Sequence, residues 1–416
     1  MIFSGPDAIC DALAALESAS VVLALLRPGS AGVRVGRDVD LLVRQSDMAR
    51  ADEVLRAQGW LSPASAGHGS HRFYVLYEPR ANAWYELDLV TRLDFGPMQS
   101  YGTDLAEACL RRAVREKGGV PELNPGDAFW VLFTHLAWKE ATAPRLAELE
   151  MYAKKARVDG PVAEMVAEYI IGGRGGLDQI LAAVSAGDWK NVETAQDQMR
   201  RRWRRSKAIE VSTGYGKNWL LRRTRPPKNR GRSIALLGLD GAGKTTVATS
   251  LKAQVAWPSA SLYMGVWRES TLDHLVRHLI GAQLFLRMGR LSRAALLMRY
   301  HQSLGRLVIL DRYTIDAGLP SPEADWKSRV SNFAVLHIAP EPDRLVFLDV
   351  LPAIAFARKG ELSIDEMEGR RDFYRELCQG SPQSVTIDAN RPLSEVLAEV
   401  NHVLWDDLVQ YDGRRM

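Results

Sequence analysis

Hydrophobic and polar positions follow different patterns in the two halves of the chain. In the first half, short apolar or β-rich runs predict strands at residues 21–26, 39–43, 72–77 and 84–90. The segment between the last two runs, Glu-Pro-Arg-Ala-Asn at 78–82, is a hairpin signal, and a helix is expected over about 47–57. From about Thr103 to Arg205 apolar residues recur at helical spacing, which predicts a helical region.

The second half alternates strand and helix patterns. Its apolar runs lie at residues 233–237, 262–266, 307–310, 345–350 and 385–387. Helical segments lie between these runs, which is typical of a parallel sheet flanked by helices. The pattern therefore predicts an α/β domain that follows an α+β domain with a helical middle region.

A strongly basic stretch separates the two patterns. Residues 200–232 contain thirteen Lys or Arg residues and one acid, although the net charge of the whole chain is only +4. The stretch includes Arg-Pro-Pro at 225–227, which breaks helices. A length of 416 residues predicts two or three domains. The predicted segments are an N-terminal domain (1–102), a helical region (103–206), a basic linker (207–231) and a C-terminal domain (232–416).

The basic stretch is expected to be a solvated linker or a basic helix. Three other roles remain open for this stretch: contact with an anionic membrane surface, contact with a nucleic acid, and capture of the substrate. The three cysteines show no metal-binding or disulfide spacing, and no apolar run reaches the roughly 18–20 residues of a membrane helix. The N-terminus carries Asp7 and Asp11 where a secretory signal would be basic. These features predict a soluble protein of the reducing cytoplasm.

The strongest motif is Gly-Leu-Asp-Gly-Ala-Gly-Lys-Thr at 238–245, directly after an apolar run and before an amphipathic helix. Its glycines allow backbone N–H groups to face phosphate oxygens, Lys244 reaches the β- and γ-phosphates, and the Thr245 hydroxyl holds Mg²⁺. The predicted cofactors are therefore ATP and Mg²⁺. The predicted nucleotide-binding residues of the loop are Gly238, Gly241, Ala242, Gly243, Lys244, Thr245 and Thr246.

This loop resembles the P-loop of thymidylate kinases, and three later segments keep the order of that family. A buried strand ends in Asp-Arg-Tyr at 311–313, the segment 342–349 matches the strand before the lid, and Ile-Asp-Ala at 387–389 is similar to the last strand. The resemblance covers roughly residues 232–408. It implies a P-loop kinase fold and ATP-dependent phosphoryl transfer.

Several charged residues are candidates for the kinase chemistry. Asp311 ends a parallel strand, where carboxylates face the ligand crevice, and is the candidate for organising Mg²⁺. By resemblance, Asp240 contacts an acceptor hydroxyl, and Arg312 and Arg268 hold the acceptor phosphate. Arg358 begins a polar segment that looks like a closing lid, whose arginines contact the transferred phosphoryl group. The alternative role for Asp311 is to cap the loop after its strand. The alternative for the other candidate residues is a solvated position at the surface.

Two segments depart from the thymidylate kinase pattern. Thr-Ile-Asp-Ala-Gly-Leu-Pro at 314–320 stands where the family's thymine-lining segment is expected, and the acceptor-phosphate motif is reduced to Trp-Arg-Glu at 267–269. We therefore expect an acceptor other than dTMP. Arg370 and Arg371 extend the lid segment, and an exposed charged helix is the alternative for both.

A second candidate site lies in the N-terminal domain. Asp38 and Asp40 stand two residues apart in a strand pattern, so both project from one face while Val39 and Leu41 point into the core. Asp88 alternates with apolar residues in a later strand. Three carboxylates on adjacent strands form an oxygen-rich site for one or two Mg²⁺ ions, which activate a hydroxyl and stabilise a leaving pyrophosphate.

This arrangement is similar to nucleotidyltransferases of the polymerase-β type over about residues 18–95. The resemblance implies Mg-dependent nucleotidyl transfer, with Gly29 and Ser30 as a triphosphate-binding turn and Arg34 and Arg37 as phosphate partners. Two alternatives remain open. In one, the acids form a solvated edge of the sheet; in the other, the fold is that of a nucleotidyltransferase but its activity is lost.

Three other features have structural interpretations. The segment Gly-Gly-Arg-Gly-Gly at 172–176 is expected to end a helix. His135 is expected to be a hydrogen-bonded core residue. Trp130, Phe133 and Trp138 are expected to belong to the core because of their helical spacing.

The predicted function is that of a bifunctional enzyme. Its C-terminal domain transfers a phosphoryl group from ATP to a small-molecule acceptor such as a nucleotide, a sugar or another surface-polymer precursor. Its N-terminal domain transfers a nucleotidyl group with Mg²⁺. One alternative is a nucleotide-gated regulatory or binding protein with slow NTP hydrolysis, and the other is a dTMP kinase with an inert N-terminal domain.

Overall fold

The computed structural model describes residues 7–27, 38–63, 70–115, 119–224, 230–264, 282–319, 333, 335–360 and 362–413. The chain divides into two compact units, one with residues 1–62, 66–76 and 85–225 and one with residues 63–65, 77–84 and 226–416. Each unit has a hydrophobic core of its own. Within the described ranges, no helix is long and apolar enough to cross a membrane.

The N-terminal part of the chain forms a four-stranded sheet in the order β1, β2, β4, β3. Its strands are β1 (Leu23–Leu25), β2 (Asp38–Val43), β3 (His71–Glu78) and β4 (Ala83–Val90). β2 runs antiparallel to β1 and parallel to β4, with Asp40 opposite Asp88. Val39 and Leu41 are buried, as the alternation of the strand predicts. Residues 79–82 connect β3 to β4, which confirms the predicted hairpin.

Nine helices accompany this sheet in the described residues up to 224. They are α1 (Asp7–Ser18), α2 (Met48–Ala57), α3 (Ala106–Arg112), α4 (Pro125–Leu136), α5 (Ala143–Ala153), α6 (Pro161–Tyr169), α7 (Arg174–Ser185), α8 (Trp189–Ser206) and α9 (Ala208–Thr224). Trp130 and Phe133 of α4 are fully buried, as predicted. Gly172 and Gly173 lie in the turn after α6, which ends at Tyr169, and residues 174–176 begin α7, so the glycine-rich segment separates two helices and starts the second rather than ending one.

The basic stretch is helical over most of its length. The predicted linker contains α9, which packs against the short turn at Pro97–Gln99. Residues 225–229, with the Arg-Pro-Pro sequence, lie outside the described residues. The last two turns of α8 expose Arg201, Arg204 and Arg205 on the side opposite the buried Met199.

The second unit contains a five-stranded parallel sheet in the order β6, β7, β5, β8, β9. Its strands are β5 (Ser233–Gly238), β6 (Ser259–Tyr263), β7 (Leu307–Asp311), β8 (Arg344–Asp349) and β9 (Ser384–Asp388). The described helices are α10 (Lys244–Gln254), α11 (Ala282–Ser303), α12 (Pro352–Lys359), α13 (Ile364–Gln379) and α14 (Leu393–Gly413). This is the predicted parallel sheet flanked by helices.

One strand prediction in this unit is wrong in position. The apolar run at 262–266 predicts a strand there, but β6 spans Ser259–Tyr263, and residues 265 and 266 lie outside the described residues. β6 is an edge strand, and four of its five residues are only half-buried. An edge position needs fewer apolar residues than a central one, so the sequence pattern marks its bounds poorly.

The parallel sheet brings the candidate kinase residues to one edge. β5 is central, and all six of its residues are buried, which explains its continuous apolar sequence. Its last residue, Gly238, lies beside the end of β8, and β7 on the other side ends in Asp311. Ligands of open parallel sheets bind outside the carboxyl ends of the strands, which is where these residues meet.

Candidate functional sites

The P-loop follows β5 and leads directly into α10. Gly238, Gly241 and Gly243 have positive φ angles of 143°, 92° and 89°, which favour glycine. At Gly241 a Cβ atom would lie 2.5 Å from the carbonyl oxygen of Ala355, so the close approach of α12 also requires glycine. The loop therefore has the backbone shape that directs N–H groups toward a phosphate.

Lys244 is held inside this loop. Its ammonium group donates hydrogen bonds to the carbonyl oxygens of Gly238 at 2.7 Å and Leu239 at 2.8 Å. The side chain is only 6% exposed, and this burial lowers the pKa of Lys244 to about 8. The carbonyl contacts compensate for the loss of water around the charge.

Thr245 and Asp311 form the candidate Mg²⁺ site. The Thr245 hydroxyl donates a hydrogen bond to Asp311 Oδ2 at 2.8 Å. The other oxygen, Asp311 Oδ1, is buried and has no hydrogen-bond partner among the described residues. A buried carboxylate oxygen without a donor fits a cation ligand, so these two side chains suit the Mg²⁺ that accompanies ATP.

Asp240 and Arg312 form an ion pair at the cavity beside the loop. Burial alone would raise the pKa of the Asp240 carboxyl, but the charges of Lys244 and Arg312 hold it below its ordinary value. Arg312 has a φ angle of 70°, a conformation that is uncommon for a residue with a side chain. The two predicted acceptor contacts thus lie together, and their roles toward an acceptor stay predictions.

The cavity beside the P-loop has a volume of about 440 Å³. Its lining includes the loop, Arg312 and Arg358. Arg358 Nη1 donates a hydrogen bond to the Gly241 carbonyl oxygen at 3.2 Å, so this predicted lid arginine does reach the nucleotide loop. Arg371 instead contacts Asp349, and the predicted acceptor clamp Arg268 lies outside the described residues.

Sequence reasoning missed two buried side chains of this site. Asp316 lies in a short 3-10 helix, Thr314–Gly318, that follows β7, and its Oδ1 accepts a hydrogen bond from the Tyr374 hydroxyl at 2.8 Å. Burial raises the pKa of the Asp316 carboxyl, while the Lys244 charge acts in the opposite direction. The sequence offered one signal for Asp316: it belongs to the segment 314–320, which departs from the thymidylate kinase pattern.

Replacing Asp311 with asparagine tests the candidate Mg²⁺ site. We expect kcat to fall about 10²-fold while the KM for ATP changes less than about 3-fold, because the loop backbone holds most of the nucleotide. Steady-state kinetics with ATP varied at saturating Mg²⁺ gives both constants. Equal losses in kcat and ATP affinity would show that Asp311 only caps the end of its strand.

The N-terminal unit contains a second cavity, of about 600 Å³, against the sheet. Asp38, Asp40 and Asp88 all line it, so the structure brings the three predicted carboxylates together. Leu132 and Tyr152, from α4 and α5, line it as well. The region that the sequence pattern separates as a helical domain therefore forms one wall of the same site.

Two of these carboxylates have basic partners. Asp40 forms an ion pair with Arg27, and Asp88 Oδ2 lies 2.6 Å from His71 Nδ1. Asp88 is 7% exposed, and within the part of the chain that the structure describes its buried Oδ1 has no hydrogen-bond partner. Sequence reasoning missed Arg27 and His71 because neither stands in the motifs that carry the aspartates.

Burial and mutual repulsion act on the acids of this face. Both effects raise the pKa of Asp38, with burial the larger cause and Asp40 the second. Burial likewise raises the pKa of Asp88. Glu86, which lies opposite Asp38 in the sheet, was not predicted, and burial with the charges of Asp38, Asp88 and Asp40 raises its pKa to about 7. Such crowding of carboxylates favours a cation among them.

The Mg²⁺ assignment of this cavity stays a prediction. In the part of the chain that the structure describes, no group of three or more His, Cys, Asp or Glu side chains is arranged to hold a metal ion. One physical reason for this is that Arg27 already pairs with Asp40 and His71 already contacts Asp88. The free Asp88 Oδ1 is the observation that fits a cation. Gly29, Ser30, Arg34 and Arg37 lie outside the described residues.

Two residues assigned to the core line this second cavity. His135 and Trp138 both contribute to its wall and are half-buried. Trp138 also packs against the hydrophobic core, beside Tyr101 and Trp203, so its core prediction holds in part. α4 ends at Leu136, so Trp138 is not part of the helical spacing that suggested a core position. Burial, together with the charges of Lys139 and Arg145, lowers the pKa of His135 to about 4, so its ring is neutral near pH 7.

Comparisons with known proteins match the N-terminal and C-terminal parts of the chain to different kinds of protein. A family model described as "Uncharacterised nucleotidyltransferase" matches residues 21–156, beyond the predicted domain end at 102. Over 188 residues the chain is 30% identical to a probable thymidylate kinase of Archaeoglobus fulgidus, which covers 41% of this chain and 93% of that protein. A thymidylate kinase of Haemophilus ducreyi is 29% identical over 204 residues, with 42% and 94% covered.

A solved structure of deoxyadenosine kinase from M. mycoides is also similar, at 15% identity and a TM-score of 0.33, over 41% of this chain and 98% of that one. The thymidylate kinase matches cover the C-terminal part, where the P-loop and Asp311 lie. The nucleotidyltransferase match contains Asp38, Asp40 and Asp88. Through its C-terminal part the chain belongs to the thymidylate kinase family, and it is an ATP-dependent kinase with a nucleotidyltransferase domain at its N-terminus.

Proposed function

We propose that the chain is a bifunctional enzyme that uses nucleotides at two separate sites. The C-terminal unit transfers a phosphoryl group from ATP to a small-molecule acceptor, such as a nucleotide, a sugar or another surface-polymer precursor. The N-terminal unit transfers a nucleotidyl group with Mg²⁺. The observation that carries the kinase half is the Thr245–Asp311 contact beside the P-loop, with one Asp311 oxygen left for a cation.

In the kinase half, each residue has a role that its position supports. ATP with Mg²⁺ supplies the phosphoryl group and neutralises charge on its oxygens. The P-loop backbone binds the phosphates, and Lys244 exchanges its loop carbonyl partners for phosphate oxygens. Thr245 and Asp311 would hold the ion, and Arg312 and Arg358 place positive charge at the cavity where an acceptor would enter.

In the nucleotidyltransferase half, the carboxylates of β2 and β4 supply the cation ligands. An Mg²⁺ ion held by these carboxylates would supply the charge that activates an acceptor hydroxyl and stabilises the leaving pyrophosphate. Arg27 pairs with Asp40 at the cavity wall, where its guanidinium group would bind a phosphate of the nucleotide. The free Asp88 Oδ1 supports this half of the proposal.

The setting and partners of the enzyme are part of the same proposal. Cys10, Cys109 and Cys378 all lie in the described part of the chain and form no disulfide there, which fits the reducing cytoplasm. The exposed arginines of α8 favour an anionic partner, either a membrane surface or a nucleic acid.

Two other functions remain as alternatives. A nucleotide-gated regulatory protein would hydrolyse NTP slowly and respond to a macromolecule, and a dTMP kinase would use the C-terminal unit alone. A screen of pooled metabolites with γ-labelled ATP distinguishes them. Transfer of label to a small molecule supports the bifunctional enzyme, whereas turnover stimulated only by protein, RNA or lipid supports the regulatory protein.

We expect dTMP to be a poor acceptor. The segment after Asp-Arg-Tyr places Asp316 in a buried contact with Tyr374, at the position where thymidylate kinases line the thymine pocket. A coupled assay that compares dTMP with the acceptor from the screen gives kcat/KM for both. Efficient phosphorylation of dTMP at micromolar concentration would contradict this expectation and support a dTMP kinase.

A further inference from the structure

Helix α9 carries exposed apolar side chains on the side away from its packing contact. The helix packs against the turn at Pro97–Gln99, and a Cβ atom added at Gly214 would lie 3.4 Å from the Ser100 carbonyl oxygen. Gly214 therefore marks the packed side. Ile209 and Trp219 lie five positions before and after it, about 140° around the helix. The outer face of α9 consists of Ile209 (82% exposed), Tyr215 (45%), Trp219 (41%) and Leu220 (52%).

Exposed basic side chains accompany this outer face. Arg201, Arg204 and Arg205 are exposed in the last two turns of α8, and Lys217 is exposed within α9. Glu210 is the one acid among the thirteen Lys and Arg residues of 200–232. The same short segment therefore combines a large positive charge with apolar side chains that are in contact with water.

We propose that the outer face of α9 and the exposed arginines of α8 bind the surface of an anionic lipid bilayer. In a helix that lies on a membrane, apolar side chains enter the boundary between headgroups and acyl chains, and basic side chains attract anionic lipids. Tryptophan and tyrosine suit this boundary because each combines an apolar ring with a polar group. Exposed apolar groups next to polar ones are typical of such interaction surfaces.

The aliphatic residues favour a lipid surface over a nucleic acid. Arginines attract the phosphates of either partner, and bases of a single strand would stack on Trp219 and Tyr215. Ile209 and Leu220 offer no plane for stacking, whereas both are stabilised when they leave water for acyl chains. The inference rests on the anionic partner in the proposed function, which it narrows to one class, and on neither transfer activity.

Sedimentation of the full chain with lipid vesicles tests this binding. We expect the protein to bind vesicles of equal parts phosphatidylcholine and phosphatidylglycerol, and to stay in solution with pure phosphatidylcholine, because the arginines need anionic headgroups. Ile209→Ser should lower partitioning onto the mixed vesicles about 10-fold, since this side chain no longer enters the acyl region. Leu296→Ser is the control and should bind as the wild type does, because Leu296 is 71% exposed but belongs to the C-terminal unit.

A second pair of variants tests the charge of α8. Arg204→Ala should lower partitioning about 5-fold, which corresponds to the roughly 1 kcal/mol that a basic residue contributes near an anionic surface. Lys190→Ala is the matched control, since Lys190 is exposed about 21 Å away at the other end of α8, beyond the screening length of about 10 Å at about 0.1 M salt. All four variants should melt as the wild type does, because each replaced side chain is exposed.

The proposal is wrong if the wild type binds both kinds of vesicle equally or binds neither, or if Ile209→Ser or Arg204→Ala binds as the wild type does. Binding of a labelled single-stranded oligonucleotide without binding of vesicles would assign the segment to a nucleic acid instead. Transfer of the γ-label is measured separately on the same proteins. A failure to bind vesicles therefore leaves the kinase assignment intact, and an inactive wild-type kinase leaves the vesicle result intact.

Discussion

Replacing Lys244 with alanine is expected to abolish phosphoryl transfer, with kcat lowered about 10³-fold or more. The change removes the one ammonium group that the P-loop encloses, which donates to the carbonyl oxygens of Gly238 and Leu239. Transfer of label from γ-labelled ATP to the acceptor measures the loss. The same helix offers a control, because Lys252 of α10 is exposed and Lys252→Ala should keep wild-type kinetics.

The fold should survive the loss of Lys244. The side chain makes polar contacts within the loop, so its removal is expected to cost about 1–3 kcal/mol of unfolding free energy. Circular dichroism and a melting curve check that the variant is folded. Phosphoryl transfer at the wild-type rate by folded Lys244→Ala would show that the P-loop is not the kinase site.

The second large effect concerns the N-terminal cavity. Asp40→Ala is expected to eliminate nucleotidyl transfer, because Asp40 lies opposite Asp88 and a cation between β2 and β4 would lose one of its few ligands. Incorporation of label from α-labelled NTPs into an acceptor measures this activity. Kinase turnover by the same variant should stay at the wild-type level, since the P-loop belongs to the other unit.

A control for Asp40 is available in the same unit. Asp11 lies on the exposed side of α1, so Asp11→Ala removes a carboxylate without changing the cavity. Nucleotidyl transfer should persist in Asp11→Ala. If Asp40→Ala transfers nucleotides as the wild type does, the acids form only a solvated or structural face.

Local motifs were enough to predict most of the candidate kinase site. The spacing within 238–245 determines a loop and a helix start, and both depend on neighbouring residues alone. Asp311 was predicted as a site residue because it ends a strand of a parallel sheet. In the structure its carboxylate accepts a hydrogen bond from the Thr245 hydroxyl. The edge strand β6 was misplaced because its half-exposed residues carry little apolar pattern.

The contacts that the sequence did not indicate join residues far apart in the chain. Asp316 meets Tyr374 across 58 positions, and His71 meets Asp88 across 17. Nothing in the local pattern of either residue selects its partner, because the pairing depends on how strands and helices pack. The wall that α4 and α5 give to the N-terminal cavity has the same origin, so the division at residue 102 did not anticipate it.

The most direct test of the central claim measures both transfers in the same three full-length proteins. Wild type, Lys244→Ala and Asp40→Ala are incubated with Mg²⁺ and a small-molecule pool, once with γ-labelled ATP and once with α-labelled NTPs. Two separate sites predict that Asp40→Ala still transfers the γ-label and that Lys244→Ala still transfers the α-label, each losing only the other activity. If no protein transfers the α-label, or if one substitution silences both transfers, the account of two independent nucleotide sites is wrong.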